Sequence, residues 1–233
     1  MNEKPKMLTF FDWASVILLL VASYLVFFFA PMEAVMGNVQ RVFYFHVSMA
    51  WIGSIGFLLA VFAGIAYLKT KDRKWDIVGL AGIEVGLVFA FINIVTGSIW
   101  ARPIWNTWWT WDPRLVTATI AELVYIAYIM LRAGIDDPNR RARFGAVYAI
   151  IGFVSVPLSF FSIRIWRTIH PIVIGAGGEN GEAVDMQMTG DMRIAFFFSL
   201  FTFTVVAISL VWHRIRLGQL QDKVEQLKVK ANM

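Results

Sequence analysis

Apolar stretches of about 20 residues, long enough to cross the hydrocarbon core of a bilayer, recur along the whole chain. Lipid offers no water to an unpaired backbone N–H or C=O, so each stretch must be helical. Six spans are expected, at about 10–30, 43–68, 77–100, 114–131, 144–163 and 194–212. Each is bounded by charge or by Pro and Gly, as at Pro31, Gly37, the KTKDRK run of 69–74, Pro103, Pro113 and the 136–143 segment. Only 16% of residues are charged, against roughly 25% in soluble globular proteins, so little mass remains for a soluble domain. The expected fold is an all-α integral membrane protein, a bundle of six transmembrane helices without internal repeat. The first stretch exceeds a signal-peptide core and lacks a small-x-small cleavage site, so it is read as a retained helix. Residues 1–213 form the transmembrane unit, with a Trp-rich outer loop at 100–114. Residues 214–233 form a detachable basic tail, whose Leu217, Leu220, Val224 and Leu227 suggest a short amphipathic helix on the cytoplasmic surface.

An even number of spans puts both termini on one side, and the basic residues say which. The net charge of +5 comes from Lys and Arg in short loops between spans, which membrane topology explains better than nucleic-acid binding. Lys4, Lys6, the 69–74 run, Arg132, Arg140, Arg141, Arg143 and the basic residues of the tail fall on one side. That side is assigned to the cytoplasm. Arg41, Arg102, Arg114, Arg164, Arg167 and Arg193 fall on the other, without a lysine among them. Arginine suits bidentate recognition of anions better than simple topology marking.

This orientation sorts the histidines. His46 begins the second span at the outer face, His170 follows the fifth span on the same face, and His213 sits at the cytoplasmic end of the sixth as an interfacial residue. Between the two outer histidines runs Trp100-Ala-Arg-Pro-Ile-Trp105-Asn-Thr-Trp108-Trp109-Thr-Trp111-Asp112-Pro-Arg114, holding five of the ten tryptophans. An aromatic belt would spread indoles singly over both interfaces; this concentration also builds a π-faced platform for a large flat ligand, with arginines for its carboxylates. A lone histidine is by default a hydrogen-bonded structural residue. Two on one face, flanking such a platform, suit the two axial positions of a haem iron. A two-haem intramembrane cytochrome would need four ligating histidines, and the chain has three. Without cysteine it has no thiolate metal site and no Cys-x-x-Cys-His attachment of its own.

The segment Trp105-Asn-Thr-Trp-Trp-Thr-Trp-Asp112-Pro-Arg-Leu115 closely resembles the "WWD" signature of the haem-handling proteins of cytochrome c maturation. Arg41-Val-Phe-Tyr-Phe-His46-Val-Ser-Met-Ala-Trp51 is similar to the first histidine helix of that group, and Trp166-Arg-Thr-Ile-His170 to its second histidine site. Length and six spans point to the small members, the haem exporter protein C (CcmC) family. Asn106 stands where the family usually has Gly, and Asn accepts left-handed backbone geometry better than most residues, so the turn there is expected to be kept.

The resemblance implies non-covalent haem b, with His46 and His170 as axial ligands. Trp105, Trp108, Trp109, Trp111 and Asp112 would form the platform, and Arg114 and Arg167 would contact propionates or a partner. It implies action at the periplasmic face of the inner membrane. There haem passes to the haem chaperone CcmE, and the ABC-type CcmA/CcmB module acts with CcmD. On this reading the chain is a carrier and not an enzyme. The rival readings are a haem lyase joining haem to apocytochrome c directly, an electron-transfer cytochrome b subunit, and a transporter moving haem through its own bundle.

Several residues keep two readings. Asp112 can cap the helix that starts at Pro113, contact the ligand, or do both. The outer arginines can also anchor lipid headgroups. Glu84 and Glu122, inside spans three and four, are expected to be protonated or paired inward. Asn93 and Thr96 read as ordinary interhelical hydrogen-bonding residues. The loop from Gly175 to Asp191 reads as a cover over the ligand or as a docking surface.

Overall fold

A computed structural model gives the fold for residues 3–171, 175–176, 183–184 and 188–231. Six helices are long and apolar enough to cross a membrane, as the sequence predicts. α1 (Lys6–Tyr24) continues through a π-helical turn at Leu25–Phe29. α2 (Gln40–Thr70) and α3 (Arg73–Trp105) follow, then α4 (Pro113–Ala133). The fifth span is divided into α5 (Pro138–Gly152) and α6 (Ser155–Ile165), and α7 (Gly190–Ala231) closes the chain. A two-residue antiparallel ribbon, β1 (Gly175–Ala176) with β2 (Ala183–Val184), lies between α6 and α7. Most of the 175–191 loop otherwise lies outside the described residues.

The α2–α3 hairpin is the spine. Small residues let the two backbones touch: a Cβ on Gly56 would sit 2.5 Å from the Gly82 carbonyl, and one on Gly82 would sit 2.7 Å from the Gly56 carbonyl. Close approach through glycine is how helices gain packing energy in lipid, where burial of apolar surface offers little preference. Lys71, in the left-handed conformation, turns the chain, and Asp72 caps α3 by accepting from the Lys74 N–H at 3.0 Å. The same device opens α4 and α5: Asp112 and Asp137 are N-caps, each followed by proline at the first helical position.

Pro157 divides the fifth span. It has no N–H to give to the Phe153 carbonyl, which accepts instead from Val156 at 3.0 Å, and the helix bends there. The consequence is spatial. α5 packs against α2, α4 and α3, whereas α6 keeps its packing mainly on α4.

The tail differs from expectation. The helix of the sixth span does not stop near 212 but runs unbroken to Ala231, so no structural boundary falls at 213. Its polar residues are engaged. Arg214 pairs with Glu84, Arg73 donates to Asp222 at 2.8 Å, and Arg141 lies 4.0 Å from Glu225. Thus Glu84, expected to be paired inward, has its partner in what reads from sequence as a cytoplasmic tail. At the same end Arg132 makes a bidentate pair with Asp76, at 2.5 and 3.0 Å, both side chains under a tenth exposed. His213 and Ser209 of α7 both bond Asp12 of α1. We refer to this as the basic end of the bundle.

Removing one partner of a buried ion pair leaves the other charged and unpaired, which costs about 3–5 kcal/mol. Asp76→Ala is therefore expected to lower thermal stability in detergent by that order, and Asp76→Leu with Arg132→Met to restore most of the loss. A melting curve unchanged by the single substitution would show that Arg132 is satisfied elsewhere.

A cavity between two histidines

At the opposite end the helices diverge around a cavity of about 820 Å³, within the roughly 300–1,000 Å³ range of small-molecule sites. α2, α3, α4, α6 and α7 and the two loops at that end contribute to its wall. The wall is mainly apolar and aromatic. His46 and His170 both line it, and Arg114 is its one charged side chain among the described residues.

Each imidazole is held by its Nδ1. His46 Nδ1 lies 3.0 Å from the Asn93 carbonyl oxygen and 3.2 Å from Thr96 Oγ1. A carbonyl oxygen only accepts, which favours the tautomer with the proton on Nδ1 and the lone pair on Nε2; Asn93 Nδ2 also lies 3.1 Å from Nδ1 and 3.4 Å from Nε2. Asn93 Nδ2 donates to the His46 carbonyl at 2.9 Å, tying the two helices under the ring. Gly97 completes the seat: a Cβ there would come within 2.9 Å of His46 Cε1. His170 repeats the arrangement, with Nδ1 at 3.0 Å from the Pro171 carbonyl oxygen. Burial, and then the Arg114 charge, pull its pKa down to about 4, so it is neutral at neutral pH.

Asp112 does not line the cavity. It is buried, and its carboxylate gathers the chain on both sides. It accepts from the Arg114 N–H at 2.9 Å as the cap of α4, from Thr168 Oγ1 at 2.7 and 2.8 Å, and from the Ile169 N–H at 2.9 Å. Thr168 in turn accepts from the His170 N–H at 3.0 Å. The acid of the Trp-rich motif thus fastens the loop that carries the second histidine. Burial pushes its carboxyl up, but the hydrogen bonds from Thr168, Ile169 and Arg114 outweigh this and hold it below the usual carboxylate range.

The tryptophans divide. Trp105 and Trp109 line the cavity, together with Trp100, which packs edge-on to Trp105 at 5.2 Å. Trp108 and Trp111 do not line it and stand 58% and 83% exposed. Arg167 is exposed and also outside the lining, whereas the Arg114 guanidinium lines it, donates to Ser159 and lies over the Phe160 ring. Asn106 ends α3 with φ 55° and ψ 22°, the left-handed turn expected of it, and Arg102 donates to its carbonyl at 2.9 Å. Sequence reading had no role at the site for Asn93, Thr96, Gly97 or Thr168. Two polar residues and a glycine within five positions of one apolar span were a usable signal for the first three. Thr168 carried none.

Six candidate spans around one aromatic cavity that two imidazoles line define a polytopic membrane protein with a ligand-sized site. Among the described residues no group of three or more His, Cys, Asp or Glu could hold a bare metal ion. Two imidazoles instead suit a metal that brings its own equatorial ligands. The chain belongs to the heme exporter protein C family, whose sequence profile matches residues 1–230. It is 32% identical to heme exporter protein C of Escherichia coli K12, over 89% of this chain and 82% of that one. The Bradyrhizobium diazoefficiens protein of the same name is 27% identical, over 87% and 73%. A ccmC-like mitochondrial protein of cytochrome c biosynthesis from Marchantia polymorpha is 27% identical, over 64% and 63%.

Asp112→Ala is expected to remove about 0.5–2 kcal/mol of cap energy from α4 and to free the 168–170 segment. Tryptic cleavage after Arg167 should then accelerate while cleavage elsewhere is unchanged. Because the folded carboxyl titrates below its unfolded value of about 3.9, the clamp is fully present above that pH. It is lost only as pH falls through the lower folded value. Equal cleavage of both proteins would show that Asp112 does not hold the loop.

Proposed function

We propose that this chain binds one non-covalent haem b between His46 and His170 and passes it to the haem chaperone CcmE for c-type cytochrome biogenesis. The observation that carries the reading is the pair of imidazoles on one cavity, each with Nδ1 tied to a carbonyl and Nε2 left as a lone-pair donor. A carbonyl that accepts from the far ring nitrogen fixes the tautomer and orientation of a metal-ligating histidine. Haem is the cargo here. The residues of the chain bind it, orient it and keep water from its faces.

Each wall group has a part in this. Trp100, Trp105, Trp109 and the phenylalanines give apolar and π surface to the macrocycle. Arg114, the one charged side chain of the wall among the described residues, is the partner for a propionate. Arg167, Trp108 and Trp111, on the outer surface beside the His170 loop, are available to the receiving protein. Family membership supports haem handling in cytochrome c maturation. On the same reading CcmA/CcmB and CcmD are the wider assembly, and the chain is a carrier rather than an enzyme.

Orientation follows from charge. The basic end, with the 69–74 run, Arg132, Arg141 and Arg214, faces the cytoplasm by the positive-inside rule, which puts both termini there. The cavity then faces the periplasm across the inner membrane.

The test is a haem titration of purified protein. Wild type should give a low-spin bis-imidazole spectrum. His46→Ala or His170→Ala should give a five-coordinate spectrum and weaken binding by about tenfold or more, and the double variant should give no ligated spectrum. A bis-imidazole spectrum that survives the double substitution would refute the ligand assignment. Covalent haem formed on an apocytochrome c with this chain alone would make it a lyase instead.

A further inference from the structure

The cavity wall reaches the lipid-facing surface. Trp51 on α2, Phe160 and Phe161 on α6, and Phe197 and Phe201 on α7 all line it, yet each is 49 to 58% exposed. A side chain meets both conditions only at a rim. The rim lies where α6, past Pro157, keeps α4 but leaves the α2–α3 packing that α5 has, while α7 stays packed on α1, α2 and α3. One side of it is fixed by Trp51 Nε1, which donates to Thr204 Oγ1 of α7 at 3.2 Å.

The axial direction is shut. Towards the basic end, Phe57 of α2 stacks on Tyr125 of α4 with ring centres 3.7 Å apart and planes within 4°. Ile52, Phe89 and Phe203 close the space between α2, α3 and α7. Behind them the α2 and α3 backbones touch at Gly56 and Gly82. Beyond that lie the buried Arg132–Asp76 pair and the Arg214–Glu84 pair, which an apolar macrocycle would have to break. Close-packed interiors do not open for a ligand of this size without unpacking several side chains at once.

We propose that the cavity exchanges its ligand sideways with the membrane, through an aromatic portal between α6 and the α2–α7 face, rimmed by Trp51, Phe160, Phe161, Phe197 and Phe201. The identity of the ligand rests on the haem reading above; the opening rests on the packing alone. The portal is apolar and at bilayer depth, so a flat macrocycle dissolved in lipid reaches the imidazoles without passing through water or through the bundle.

The chain contains no cysteine, so a single introduced thiol can be labelled cleanly. Phe160→Cys and Phe201→Cys would be reconstituted in phospholipid vesicles and alkylated with pyrene maleimide. Leu123→Cys serves as control, being 57% exposed on α4 and outside the cavity wall. Haem uptake from haem-loaded vesicles would be followed by stopped-flow absorbance. Uptake by each labelled rim variant should be slower by about tenfold or more than uptake by the same variant unlabelled, while the labelled control keeps the rate of its own unlabelled form. An unchanged rate in a fully labelled rim variant overturns the portal, as does a lowered end-point at an unchanged rate. Rim thiols that refuse a label Leu123→Cys accepts would show another helix in the gap and overturn it too. Absence of any haem spectrum in the unlabelled parent would instead strike the haem reading itself, removing the proposed cargo of the portal.

Discussion

The contact on which the rest depends is the meeting of two backbones, α2 and α3, at their glycines. The register that seats Gly56 against Gly82 and Gly86, and Gly79 against Ala63, continues along the pair until it seats Gly97 against the His46 ring. One antiparallel alignment therefore closes the middle of the bundle and orients the first imidazole. A side chain at Gly82 or Gly86 would separate the helices, because the atoms it would meet include the facing backbone. In water such a pair could be held by burying large side chains. In lipid, where the surroundings are as apolar as the side chains, close backbone approach supplies the attraction.

The second imidazole is placed by different means, and the contrast is informative. His46 sits on a rigid helix and is oriented by the helix beside it. His170 sits on a loop, and its position is set by Asp112 through Thr168 and the Ile169 N–H. One carboxylate caps α4 and holds that loop, so the end of the Trp-rich segment and the histidine behind it are tied together. A site built half on a helix and half on a tethered loop has one fixed wall and one that can be released by breaking hydrogen bonds alone. This division suits a carrier better than a permanent cofactor site, since a resident group gains from two rigid walls.

The sequence made the spans legible because length and apolarity in lipid admit one backbone solution. The two histidines were legible for chemical reasons: few residues do what imidazole does, and only three were present. The turn at Asn106 was legible from a family glycine position filled by a residue that accepts left-handed geometry. What sequence concealed was direction. Spacing fixes the side of a helical residue to within a face, but a loop has no period, so nothing separated Trp105 and Trp109, which face the cavity, from Trp108 and Trp111, which do not. The cap role of Asp112 was legible, but its hold on Thr168 and Ile169 was not, because those partners lie more than fifty residues away. The tail continues the helix of the sixth span to Ala231, because a helix leaving the membrane becomes polar without having to end. Its carboxylates and Arg214 are in fact spent on Arg73, Arg141 and Glu84.

The two ends of the bundle are chemically opposite, and the closed middle explains why both can exist. The basic end is a cage of paired charges: Arg132 with Asp76, Arg214 with Glu84, Arg73 with Asp222. Such pairs hold α3, α4 and α7 together, and the space among them is lined by charged side chains. The other end gives up that cross-linking. Its helices are held apart by the Pro157 bend, its wall carries one charge, and its aromatic side chains are left with surface that no neighbouring helix covers. An end so loosely tied would be unstable alone. It is kept in register by the glycine contact and the charged cage behind it, so rigidity at one end is what permits an open aromatic site at the other.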